Sequence, residues 1–214
     1  MVPVTELVLP LVVRIERDAP PTRTDALEAA ARGVLLMLTA ERLEWVDAVA
    51  AWDGQRIRKV VRRARGAEWR RALTVDGLDV VHRSAQVRVY PPIPVDSWPP
   101  ELVRLQVGGT ELDDPAEVAP AAADEPLVLL SPHVEMTAGK AMAQAAHAAQ
   151  LGWRASAATD RAAWRADGFA LAVRAATAAQ WAAALAAGAP VVTDAGFTEI
   201  APDSQTAAAV LPWL

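Results

Sequence analysis

An α/β fold is the expectation for this 214-residue chain. Short apolar runs of strand length alternate with alanine-rich segments of helix length, and threonine or aspartate stands where several of those helices would begin. With 53% hydrophobic residues, the chain has apolar material for one generous core or two small ones. Apolar runs such as Leu7 to Val13 and Pro126 to Leu130 are far too short to cross a membrane, and the opening residues lack the charged-then-apolar pattern of a secretory leader. A soluble, cytoplasmic protein without membrane contact is therefore expected. The chain has no cysteine and only three scattered histidines, His82, His133 and His147, so disulfides, thiolate nucleophiles and zinc-site patterns drop out. Any chemistry is expected to proceed without metal or cofactor.

In the first half, Leu7 to Ile15 reads as a buried strand and Thr24 to Leu38 as an Ala/Leu helix capped by Thr24 or Asp25. A third element runs from Glu41 to Trp52 and stops at Asp53-Gly54. A basic helix is expected over 56–71, reaching Leu73, because Ile57, Val61 and Ala64 recur at i, i+4 and i+7 and leave the arginines outward. Arg56, Arg58, Lys59, Arg62, Arg63, Arg65, Arg70 and Arg71 there face Glu68 alone, although the net charge of −5 argues against a polyanionic partner. Arg62, Arg63 and Arg65 are the candidate phosphate contacts; a solvated helix paired with Glu41, Glu44 and Asp47 is the competing reading. Ala85 to Tyr90 alternates like a strand until Pro91-Pro92, and Glu101 to Gln106 reads as a short helix opened by Pro99-Pro100.

Residues 108–125, rich in proline, acid and small side chains without a period, read as a linker between an N-terminal domain, 1–107, and a C-terminal domain, 126–214. Beyond it come a strand at Leu127 to Leu130 and helices at Gly139 to Leu151 and Ala158 to Ala166. A strand at Phe169 to Arg174 and a helix at Thr177 to Ala187 follow. The chain closes with strands at Pro190 to Thr193, Thr198 to Ala201 and Ala207 to Leu211. Pro10-Leu-Val-Val with its alanine helix echoes Pro126-Leu-Val-Leu with the next one, at an offset of 116. The N-terminal half is either a degenerate repeat, which would make the chain an internal pseudo-dimer, or an unrelated accessory domain; a homodimer is also open.

Two segments carry the chemistry. The first is Met136-Thr-Ala-Gly139-Lys140-Ala-Met-Ala-Gln144-Ala-Ala-His147-Ala. On a helix it lines up Lys140, Gln144 and His147 on one face, with Lys140 in the first turn, where free N–H groups and the helix dipole already favour an anion. Spacing alone also fits a solvated face. The second is Thr193-Asp194-Ala-Gly-Phe-Thr198-Glu-Ile-Ala-Pro-Asp203-Ser-Gln-Thr206, which puts a carboxylate at the end of a strand, where catalytic groups of open α/β sheets gather.

In this order the two segments resemble the type 2 peptidyl-tRNA hydrolase family, and the likeness covers residues 126–214. It implies a mixed four-stranded sheet flanked by helices and a hydrolase that cleaves the ester of peptidyl-tRNA. It carries the family's functional lysine onto Lys140, its aspartate onto Asp194 and its two threonines onto Thr198 and Thr206. Gly139, Gln144 and His147 fall on motif positions expected to bind substrate. On this reading Asp194 orients the attacking water while Lys140, helped by Thr198, stabilises negative charge. The chain departs from the family pattern at Leu130-Ser131-Pro132-His133, where a first-strand arginine and aspartate are usual. It departs again at Thr137-Ala138, where cations are usual, and at Asp203, where glycine is usual. Aspartate tolerates the left-handed conformation, so the last turn is expected to survive. The missing charges leave two alternatives open: an inactive tRNA- or protein-binding module on the same scaffold, and a hydrolase of another acylated substrate.

Overall fold

The computed structural model describes residues 5–115, 117–196 and 200–214. The N-terminal half runs β1 (Leu7–Arg14), α1 (Arg23–Leu38), α2 (Leu43–Asp53), β2 (Lys59–Ala64), α3 (Gly66–Ala72), β3 (Leu78–His82), β4 (Ala85–Val89), β5 (Ile93–Pro94) and α4 (Pro100–Val103). The C-terminal half runs β6 (Leu127–Leu130), α5 (Ala138–Ala155), α6 (Ala158–Ala166), β7 (Ala172–Ala175), α7 (Ala178–Ala186), β8 (Val191–Thr193) and β9 (Gln205–Val210). The fold is α/β, with two mixed sheets flanked by helices.

The sheets share one topology. The first is ordered β2-β1-β4-β3 and the second β7-β6-β9-β8. In each, the first pair is parallel and the other two pairs antiparallel. The short β5 adds to β1 at Leu7 and Val8. Registers correspond as well: Leu11 meets Val61 and Val89 as Leu127 meets Ala172 and Val210. Leu11 and Leu127 are the pair that the sequence echo aligns.

Period-two alternation places both sheets. In β1, Leu9, Leu11 and Val13 point to the main core and Val12 to the opposite face, where Trp69, Tyr90 and Leu102 cover it. In β6, Val128 and Leu130 point inward while Leu129 packs outward against Trp181 and Ala184 of α7. Between the inner faces lie α1 and α5, packed on each other, with α1 on β3 and β4 and α5 on β8 and β9. Each also reaches across to the other half, α1 to β7 and α5 to β2. Ala26, Ala29, Ala30 and Ala31 of α1, and Ala141, Ala145, Ala146, Ala148 and Ala149 of α5, are fully buried in one cluster that includes side chains of both sheets.

Several expectations need correction. The basic segment over 56–71 is not one helix: Lys59–Ala64 is a strand paired parallel to β1, and the helix begins only at Gly66. Ile57, Val61 and Ala64 are buried as anticipated, but two adjacent valines satisfy a β1 edge better than a helix turn. β3 was not anticipated. The cap of α1 is Thr22, whose hydroxyl accepts the Asp25 N–H, instead of Thr24 or Asp25. Thr177 does cap α7, in a reciprocal box with Gln180. The 198–201 strand lies partly outside the described residues, and Ile200 and Ala201 are not in a strand. Residues 108–125 hold no helix or strand among those described, yet the stretch is tied down at both helix starts. Thr110 O accepts the Ala138 N–H, Asp113 O accepts the Arg23 N–H, and the Asp114 carboxylate accepts from the N–H and hydroxyl of Thr24.

The halves are also joined by buried charge. Glu28 of α1 accepts from Arg174 of β7 at 2.6 Å, from the Val173 N–H and from His82 at 2.7 Å. Burial works to raise the Glu28 carboxyl, but these three donors outweigh it and hold it below the ordinary range. Among the described helices none is long and apolar enough to cross a membrane. The shared core implies that the chain unfolds in one transition, followed by fluorescence and circular dichroism together. Glu28→Ala, which strands Arg174, is expected to lower stability by about 3–5 kcal/mol in a denaturant titration.

Candidate functional site

The two sequence motifs meet. Lys140, at the third position of α5, and Asp194, just past β8, form an ion pair with Nζ 2.6 Å from Oδ2, both side chains nearly covered. Gln144, one turn along α5, donates from Nε2 to the same oxygen at 2.7 Å. Thr206 of β9, fully buried, donates its hydroxyl to Gln144 Oε1 at 2.7 Å, which orients the amide with its NH₂ toward Asp194. A β9 hydroxyl, an α5 amide and the carboxylate just past β8 thus form one chain of hydrogen bonds ending at the Lys140 ammonium.

The loop after β8 holds Asp194 through its backbone as well. Its N–H donates to Ser204 O, its carbonyl accepts the Asp203 N–H, and Oδ1 accepts the Gly196 N–H at 2.8 Å. Gly196 sits at φ +76 with a Cβ position only 2.5–2.8 Å from Pro202, so no other residue fits there. Asp203 takes φ +63, the left-handed turn that the sequence anticipates for an aspartate in place of glycine.

This cluster forms one wall of a cleft of about 730 Å³ between the two halves. Gly139, Lys140, Ala143, Gln144 and His147 line it from α5, and Val192 to Ala195 from the β8 end. The opposite wall belongs to the N-terminal half and is basic: Arg56, Arg58 and Lys59, with Val60 and Val61. Glu6 also lines the cleft and pairs with Arg58 at 3.2 Å. Ile57, between the two arginines, is held at φ +47, a conformation β-branched residues avoid, which costs on the order of 1–3 kcal/mol. Its carbonyl accepts from Lys59 Nζ at 3.1 Å.

His147 lies within this basic surround. Burial, then Lys59, Arg154 and Lys140, push its imidazole down to about 2, which favours the neutral form at neutral pH. Desolvation, reinforced by Arg154 and opposed by Asp53, likewise lowers the Lys59 amine well below the ordinary lysine range.

Of the residues singled out from sequence, Gly139, Lys140, Gln144, His147 and Asp194 come together at the cleft, and Thr206 supports them from beneath. Thr198 lies outside the described residues. Arg62, Arg63 and Arg65 do not line the cleft: Arg62 alternates to the face of the sheet opposite Lys59, and Arg63 and Arg65 lie farther along the segment. Arg62 donates to the carbonyls of Val103 and Leu105 and stacks 4.2 Å over Trp98. Arg63 binds Gln106, and Arg65 borders a separate shallow depression with Glu16 and Glu68. The cations that reach the cleft are instead Arg56, Arg58 and Lys59. One count in the sequence marks the last of them: only two of the 21 basic residues are lysines, Lys59 and Lys140, and both line this cleft.

The matching place in the other half is closed. Aligning the caps Thr22 and Thr137 sets Asp25 opposite Lys140 and Glu28 opposite Ala143, and the strand registers set His82 opposite Thr193 and Arg83 opposite Asp194. Asp25 and Arg83 approach to 3.6 Å, the Lys140–Asp194 pair with its signs exchanged. Ligand atoms of Asp25, Glu28 and His82 lie within 4.8 Å of one another, as a metal site would need, but arginines already serve this cluster. Arg32 binds His82, and Arg174 binds Glu28.

Comparison with models of protein families, with curated proteins and with solved structures finds no significant match to this chain.

Two outcomes follow. Thr206→Val removes the donor to Gln144 and leaves a buried amide oxygen unpaired, which is expected to cost about 1–3 kcal/mol in thermal or chemical denaturation. Because His147 stays neutral in the folded state but takes a proton when unfolded, stability falls as pH drops below about 6.5, at about 1.4 kcal/mol per pH unit. Between pH 6.5 and 5 that slope is expected to be reduced in His147→Gln.

Proposed function

We propose that this protein hydrolyses the ester bond of peptidyl-tRNA, releasing the peptide and a free tRNA, in the manner of the type 2 peptidyl-tRNA hydrolases that residues 126–214 resemble. The observation that carries the reading is the 2.6 Å contact between Lys140 and Asp194 in an open cleft, built from the two motifs that define the resemblance. Ester hydrolysis needs an oriented water, a proton acceptor for it, and positive charge where the carbonyl oxygen becomes an oxyanion. Asp194, held by Gln144 and Gly196, supplies the acceptor and orients the water. Lys140 supplies the charge beside it, reinforced by the start of α5.

Water adds to the ester carbonyl and gives up a proton to Asp194. The tetrahedral centre collapses, the bond to the ribose oxygen breaks, and that oxygen leaves with a proton, for which the Lys140 ammonium is the nearest donor. Thr198 belongs to this scheme by resemblance alone. Support for a tRNA substrate comes from Arg56, Arg58 and Lys59, which give the cleft the positive wall that the missing first-strand arginine would otherwise provide. On this reading the chain is an internal pseudo-dimer working in the cytoplasm, with one half catalytic and the other completing the cleft.

Incubation of the pure protein with labelled peptidyl-tRNA tests the proposal. Release of free peptide is expected, with kcat/KM reduced about 10²- to 10³-fold in Lys140→Met and in Asp194→Asn. Unchanged rates in both variants would remove the mechanism. Tight binding of intact substrate without turnover would mark a binding module instead.

A further inference from the structure

Lysine is nearly absent from this chain, and arginine fills almost every basic position. The two lysines carry a compact amine, which reaches and hydrogen-bonds differently from the broad, planar guanidinium. Lys140 is one, at the ester-cleaving end of the cleft. Lys59 is the other case: it belongs to the positive wall, and no bond-making or bond-breaking step of the proposed reaction uses it.

Lys59 stands at the start of β2, on the wall that the N-terminal half contributes. Its ammonium donates to Gln150 Oε1 at 2.7 Å and to the carbonyl of the strained Ile57 at 3.1 Å, and it lies 4.9 Å from the centre of the Trp52 ring. Gln150 is itself fixed, donating to Asp53, which also binds Arg154. Two of the amine's three N–H groups are therefore spoken for among the described residues. Gln150 is ten residues beyond Lys140 on α5, roughly 15 Å at the helical rise. Lys59 is thus held beside a later turn of α5 than the Lys140–Asp194 pair and addresses a different part of whatever lies at Lys140. Arg56, exposed, and Arg58, paired with Glu6, flank it. Arg56 and Arg58 outnumber Glu6 on this wall even before Lys59 is counted, so the group it suits is anionic.

We propose that Lys59, with Arg56 and Arg58, forms a second subsite of the cleft that takes backbone phosphates of the RNA strand whose terminal ester lies at Lys140 and Asp194. The identity of that strand rests on the hydrolase reading; the anion subsite does not. Phosphate contacts position a strand without reading its sequence, as an enzyme accepting many tRNAs requires.

The test uses a single-stranded RNA oligonucleotide ending in CCA, followed by fluorescence anisotropy, and two esters: N-acetyl-aminoacyl-tRNA and the phosphate-free N-acetyl-aminoacyl-adenosine. Lys59→Met and Arg56→Ser are each expected to weaken oligonucleotide binding on the order of tenfold and to reduce the slope of log affinity against log salt by about 0.7 to 1. Each is expected to reduce the preference for the tRNA ester over the adenosine ester by a similar factor. Arg56 is exposed, so its variant keeps the test open if Lys59→Met fails to fold. Equal losses on both esters, or an unchanged salt slope, would overturn the subsite. If no ester is cleaved but the variants still lose the oligonucleotide, the hydrolase reading fails and the subsite stands.

Discussion

The contact between α1 and α5 governs the rest of the molecule. Both helices present alanine to each other, and small side chains let two backbones approach closely while still excluding water. Because each helix also lies on its own sheet, that single contact merges two sheets into one core. It has a further effect on chemistry: α5 is brought alongside β2, so the basic wall of one half faces the acid–amine pair of the other. Neither half owns the cleft.

The near-symmetry of the halves makes their differences informative. Where α1 carries Glu28, α5 carries Ala143, and this difference in volume and charge is among those that separate a filled site from an empty one. Glu28 draws Arg174 and His82 into the space and closes it with ion pairs. Ala143 leaves the corresponding space free, and the cleft occupies it. The closed side stabilises the joint between the halves, and the open side is available for a ligand.

Much of this was legible in the sequence, and the failures have physical causes. Strands and helices of the C-terminal half follow from period and caps, as at Thr177, and the two motifs point to Lys140, Gln144, Asp194 and Thr206 before any coordinates. The basic segment misled because Ile57, Val61 and Ala64 are buried for a reason that local spacing cannot contain: β1, fifty residues earlier, offers Lys59–Ala64 a parallel edge. That pairing, with its period of two, puts Arg62 on the opposite face and leaves Lys59 in the cleft, while Arg63, farther along, is taken up by Gln106. The 108–125 stretch reads as a free linker because a helix start satisfied by a distant carbonyl, as Ala138 is by Thr110, leaves no signature in composition.

The opposition of Glu28 and Ala143 bears on how such a molecule can change over time. In an assembly of two identical chains, one codon sets both positions, so closing either site closes both. With the two positions on one chain, each codon varies alone, and a stabilising charge can be fixed on one side without sacrificing the opening on the other. Asymmetry of this kind is open only to a covalently joined pair, and it allows the closed side to be shaped around the open one.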